Sequence, residues 1–333
     1  MRTRIGVLAV LALGLMLSGC WEVKQKITLN PDASGKLAFD LITVPTANLS
    51  PLGGKMGQEI EDPQQAARDT VADLIHQQVK GVEAWKDLSI EVLKDGRIRF
   101  QGVAYFRDYA QLKAPWSLQG IKWQKVEGAM VLDGALEAVK KPSLPGVPPG
   151  MPGAPPATPT KPVEELTEKQ LHTKILAARM SYQQGRGLMT AIMGSMKTDT
   201  TFMLPGKVVE QGAFQKTADG GLRVALEGSK MLQALDKLMA DEKFLSHAVK
   251  AGEDPMEGKL AEKVMTQMVL GSDAPLRAKV TGELKPLFDY EAEMTNAKAA
   301  MAAMFGKLQI PLQPQRPAFP MPMPMPTLPE EDF

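Results

Sequence analysis

Few side chains in this 333-residue chain have the type and spacing that chemistry requires. Cys20 is its only cysteine and closes the run Leu17-Ser18-Gly19-Cys20. A thiol at that position can be alkylated, whereas it has no second thiol for a disulfide within the chain. The three histidines, His76, His172 and His247, have no His or Cys three or four residues away, so metal-site spacing is absent. Asp32 and Ser34 resemble a fragment of a calcium loop but lack the remaining oxygen ligands and the distal Glu, so turn formation explains them. Gly53-Gly54-Lys55 lacks the earlier Gly and the following Ser or Thr of a phosphate loop. Met321, Met323 and Met325 alternate with proline, and thioethers are soft ligands for Cu(I). The simpler account is an extended low-complexity tail. No nucleophile elbow and no His-Glu-x-x-His run is present. The expectation is a non-enzymatic protein with no cofactor, no metal site and no catalytic residue.

The segment before Cys20 gives that thiol its meaning. Arg2 and Arg4 precede an apolar run from Ile5 to Leu17, followed by the small residues Ser18 and Gly19. About 13 apolar residues make roughly 20 Å of helix, short of the ~30 Å hydrocarbon core, so residues 1–19 read as a signal peptide. Leu17-Ser18-Gly19-Cys20 resembles the lipobox of bacterial lipoproteins. The resemblance implies cleavage before Cys20, a diacylglyceryl group on its sulfur and, often, a further acyl chain such as palmitate on the new amine. Two or three chains anchor stably where one is marginal. The implied location is the cell envelope, lipid-anchored on a periplasmic or outer-membrane face. In enterobacterial-type sorting an Asp after the cysteine retains lipoproteins in the inner membrane; Trp21 stands there instead.

Composition narrows the partners. Arg2 and Arg4 leave with the signal, so 39 basic and 38 acidic residues become 37 and 38. A near-neutral mature chain gives no footprint for nucleic acid. The expected partners are the membrane through the lipid anchor and an envelope protein or lipid.

The elements that must carry these residues follow from periodicity. Trp21, Val23, Ile27 and Leu29 alternate with Lys24, Lys26 and Thr28, the pattern of a half-buried strand. Asn30-Pro31-Asp32-Ala33-Ser34-Gly35 is a turn cluster leading to Leu37, Phe39 and Leu41. Residues 45–61 have no period and read as loop. Asp62, Pro63 and Gln65 start a helix that Gly81 stops. Strands over 87–92 and 98–106 flank Asp95-Gly96, and another hairpin centres on Glu127-Gly128. The pattern is α+β, antiparallel hairpins packed with amphipathic helices.

Residues 141–163 are rich in Pro and Gly, forming a linker or insertion that neither ladders nor coils. It either separates two domains or interrupts one sheet. The few clear strands after it favour the insertion, placing 164–308 on the sheet begun by 20–140. Thr167 to Gln170 is a capping box opening a helix to about Met196, interrupted at Gly185-Arg186-Gly187. A strand from Phe202 to Val209 breaks at Leu204-Pro205-Gly206-Lys207, and Asp219-Gly220-Gly221 turns into Leu222, Val224 and Leu226. Ser229 caps a helix, and further helices cover Leu260 to Met268 and 290–308, with a strand over Leu276 to Leu284 between them. Methionines at helical spacing, such as Met189, Met193 and Met196, read as core. Residues 309–333 form a disordered Pro/Met tail.

The lipidated cysteine flowing into a strand and an Asn-Pro-Asp-x-Ser-Gly hairpin, with Thr201-Phe202-Met203-Leu204-Pro205-Gly206-Lys207-Val208 later, resembles the LppM-type bacterial lipoproteins. That resemblance implies a β-rich extracytoplasmic domain whose sheet offers a lipid or ligand surface, and no catalytic residues. Three functional expectations stand: a binding or scaffold module, a carrier of lipid or another amphiphile, and an enzyme whose site no motif marks. The second needs an apolar cavity between sheet and helices, and the third a cleft of perturbed titratable groups.

Overall fold

The computed structural model describes residues 21–45, 62–116, 121–134, 166–256 and 259–312. The expected signal peptide over residues 1–19, Cys20, the expected loop at 46–61, the Pro-rich stretch 141–163 and most of the 309–333 tail lie outside the described residues. The fold is α+β. Strand β1 (Glu22–Leu29) turns through Asn30 to Ser34 into β2 (Gly35–Thr43), in register from Glu22 opposite Ile42 to Leu29 opposite Gly35. Helix α1 (Pro63–Asp73) starts on Asp62, whose carboxylate accepts from the amides of Gln64 and Gln65. It runs into a π-helical turn over Leu74–Gln78. Strands β3 (Ala84–Val92) and β4 (Ile98–Phe106) form the Asp95-Gly96 hairpin, and β5 (Lys122–Val126) and β6 (Ala129–Asp133) the Glu127-Gly128 hairpin.

After the insertion, α2 (Glu168–Met193) opens with the expected capping box at Thr167 and Gln170. It runs unbroken through Gly185 and Gly187, because two glycines weaken a helix without removing its hydrogen bonds. Strand β7 (Lys197–Met203) then enters the first sheet as a parallel partner of β1. The chain crosses at Leu204-Pro205-Gly206 to β8 (Lys207–Glu210), which belongs to a different sheet. Gly206 has φ +92 and approaches the carbonyl of Thr281, so a side chain there would be both strained and crowded. Short β9 (Gln215–Lys216) and β10 (Leu222–Glu227) follow, then α3 (Gly228–Ala240), α4 (Glu242–Lys250), α5 (Lys259–Leu270), β11 (Arg277–Thr281) and α6 (Tyr290–Leu308). Ser229 is not a cap: α3 begins one residue earlier, with Glu227 in the cap position and no side-chain cap bond. Asp241 caps α4, accepting from the amides of Lys243 and Phe244.

Two sheets result. The larger has the order β3-β4-β2-β1-β7-β10-β9, the smaller β5-β6-β11-β8. The alternation of β1 aims Val23, Gln25, Ile27 and Leu29 inward, where they join Leu37, Phe39, Phe100, Phe202 and Val224 from neighbouring strands. The smaller sheet adds Trp123, Leu132, Ala278 and Val280 to the same core. Ala67, Val71 and Leu74 of α1 and the adjoining turn cover another part. Helices α2 to α5 bury a second cluster around Ile175, Tyr182, Leu235, Leu238, Leu245 and Met265. β1 thus stands near the middle of the large sheet, paired on one side with its hairpin partner and on the other with a strand from beyond the insertion.

Candidate functional site

The outward positions of the large sheet carry charge. Lys24 of β1 lies directly between Asp40 of β2 and Asp199 of β7. Each aspartate is gripped at two points by an arginine from the next strand. Arg99 donates to Asp40 through Nε at 2.9 Å and Nη2 at 2.6 Å, and Arg223 donates to Asp199 at 2.7 and 2.9 Å. One row beyond, Lys26 donates to Asp219 at 3.0 Å. Lys24, Lys26, Asp40, Asp199 and Arg223 line, with Thr201, an open groove of about 420 Å³. The sign alternates across five strands, and the two-point geometry fixes the side chains. The hydrogen bond from Arg99 holds the Asp40 carboxyl below the usual range, and the bond from Thr217 together with Lys26 takes Asp219 down to about 2. Asp40 and Asp219 therefore stay ionised at neutral pH and act as fixed charges on this face.

Beside this face, α6 lies on the outer corner of the sheet, its Tyr290, Met294 and Ala297 packed on Ala84 and Tyr105. Burial works to raise the Glu293 carboxyl, but hydrogen bonds from Lys36 and Tyr105, all at 2.8 Å, outweigh it and leave the group lowered. Burial and the same contact push the Tyr105 phenol up. Lys36 also sits 4.2 Å over the Phe288 ring and Arg107 4.7 Å over Tyr290. The groove here, lined by Asp32, Phe288, Asp289 and Glu291, has its carboxylates engaged. Asp32 accepts from the amide and hydroxyl of Ser34, Asp289 caps α6, and Glu291 pairs with Arg107. Asp32 and Ser34 therefore build the turn that the sequence assigns to them.

Inside the sheet, Gln25 donates to the Thr200 hydroxyl at 2.8 Å, while its Oε1 and the indole nitrogens of Trp21 and Trp116 are buried without a hydrogen-bond partner. Phe39, opposite Gln25 in register, packs 5.8 Å from Trp116. Among the described residues the Tyr290 hydroxyl is likewise buried without a partner, and each such atom costs about 1–3 kcal/mol.

The histidines remain apart. His172 and His247 are exposed on α2 and α4. His76 is half-buried. The π-helical turn rotates it against Phe305, and a ring nitrogen lies 2.6 Å from the Pro311 carbonyl. Among the described residues no three His, Cys, Asp or Glu side chains come together to hold a metal, and no helix is long and apolar enough to cross a membrane.

No protein-family model, curated protein or solved structure matches this chain.

Cys20 itself lies outside the described residues, but its neighbour does not. The Trp21 carbonyl accepts from the Lys197 amide at 3.0 Å, and the side chain packs against the main core. Glu22 is reached by Arg97 at 2.9 Å and Lys197 at 4.0 Å. Trp21 is therefore held by the sheet one residue after the candidate lipid attachment site. Sequence periodicity marks β1 but not its partner β7, nor the Asp–Arg pairs, whose members are 59 and 24 residues apart. The signal available was opposite charge at outward positions of separate strands, which becomes legible only once the register is known.

Proposed function

We propose that this protein is a membrane-anchored envelope lipoprotein, attached through acylated Cys20, whose α+β body is a non-enzymatic binding or scaffold module. The observation that carries the reading is the position of the only cysteine: it closes a signal-like segment and immediately precedes Trp21, which packs, partly buried, against the main core. A thiol retained for packing would sit inside an element. This one sits at the junction between a leader and a strand near the middle of the sheet. The exposed charged face supports the binding role. It sets out arginine, aspartate and lysine side chains in fixed positions, with Asp40, Asp199 and Asp219 each ion-paired. The LppM-type resemblance agrees with this reading through its lipid anchor and its β-rich domain.

Replacing Cys20 by Ser tests it. In cells fed a labelled fatty acid, the wild type is expected to carry label and sediment with membranes, and the variant to lose both. A variant that still sediments without label places the attachment elsewhere and overturns the proposal.

A further inference from the structure

Anchoring at Cys20, if that reading holds, also decides which surface meets the bilayer, because the chain has almost no slack there. Consecutive Cα atoms are about 3.8 Å apart, so the acylated residue lies within about 4 Å of the fixed Cα of Trp21. The headgroup layer is roughly 5–8 Å deep on each side of the hydrocarbon. The elements around Trp21 are therefore brought to lipid whatever the tilt of the body. Sheet register names them. Glu22 stands opposite Ile42 and Lys197, and Lys197 opposite Glu227. The β3–β4 turn reaches the same end, where Arg97 binds both Asp95 and Glu22. The start of α3 does so as well: the Gly228 amide donates to the Met196 carbonyl at 2.8 Å, and Lys230 pairs with Glu227 at 2.8 Å. At the other end of β1, about 23 Å away, lie the Asn30 turn, the crossing at Leu204 to Gly206, and the approach to α6.

We propose that this end of the large sheet is a lipid-headgroup contact surface, formed by the β3–β4 turn, the start of β7 and the start of α3 around Trp21. The protein stands with β1 running away from the membrane. Its charges say what kind of contact this is. Lys94, Arg97, Lys197 and Lys230 are set beside Glu22, Asp95 and Glu227, and three of the four cations have an acidic neighbour within 4.0 Å. Such a surface is nearly neutral, so the tether holds it in place and anionic lipid is not required. A polybasic surface would instead follow anionic lipid and salt.

The test uses the acylated full-length protein in vesicles of phosphatidylcholine, with and without phosphatidylglycerol, doped with a headgroup-nitroxide lipid. With Cys20 acylated, a cysteine introduced elsewhere is the sole free thiol for a fluorophore. Labels at Lys94→Cys and Lys230→Cys are expected to be quenched several-fold more than labels at Lys216→Cys and Lys285→Cys, with little change on adding salt or phosphatidylglycerol. Equal or reversed quenching in protein that is anchored overturns the contact surface. So does a gradient that appears only with phosphatidylglycerol and vanishes in salt. Loss of all vesicle binding in Cys20→Ser confirms the tether on which the surface depends. If Cys20→Ser binds vesicles with the same quenching pattern, the anchor reading fails and the surface stands.

Discussion

Asn30 ties together three parts of the chain that are far apart in sequence. Its buried side chain donates to the Ser34 hydroxyl at 3.2 Å and the Phe288 carbonyl at 3.3 Å, and its Oδ1 accepts from the Leu287 amide at 2.9 Å. Its main-chain oxygen accepts from the Trp123 indole at 3.0 Å. Asn30→Ala keeps the turn backbone but strips partners from the segment leading into α6, and is expected to cost about 2–3 kcal/mol, read as a lower urea midpoint at an unchanged slope. An alanine variant as stable as the wild type refutes the clamp. Gly228 makes a different demand. A Cβ there would meet the Met193 carbonyl at 1.6 Å, so Gly228→Ala should destabilise by about 1–3 kcal/mol, checked by the same measurement. The turn around Asn30 is legible in sequence because its residue types build turns. The contacts with Leu287 and Trp123 are not, since no local signal reports a partner some 257 residues away.

At the scale of elements, α6 is held to the sheet by a titrating contact. Glu293 has a folded pKa below its ordinary value of 4.5, so the ionised form is favoured by folding. That stability is present above the ordinary value and is lost as pH falls through the folded one. Wild-type stability should be level near pH 6 and fall below about pH 4, and Glu293→Gln should be less stable at pH 6 but flatter in acid. Parallel pH curves for the two proteins would show that the contact does not contribute. Strands of clear period two, β1, β2 and β10, are readable from sequence because one face is buried and the other wet. The continuity of α2 is not, because packing of Ile175 and Tyr182 on α3 to α5 decides it against the local preference of its glycines.

For the whole molecule, the parallel β1–β7 pair joins residues on both sides of the Pro-rich insertion into one sheet. Composition reveals the insertion, whereas a parallel pairing of strands so far apart has no local signature. A fragment of residues 21–140 would leave one edge of β1 bare along its length, and bare edges recruit other strands. The fragment is expected to aggregate when produced alone and to become soluble when co-expressed with 164–308, and a monodisperse, folded 21–140 would contradict the joined sheet. The charged outer face and the proposed anchor meet on that same central strand: Lys24 and Lys26 point from it, and Trp21 immediately precedes it. The central claim is lipid attachment at Cys20, and the intact mass of the protein purified from its membrane fraction tests it most directly. The account predicts a chain starting at residue 20, heavier than the bare polypeptide by a diacylglyceryl group with or without a further acyl chain. A mature chain with an unmodified Cys20, or one that retains residues 1–19, would contradict it.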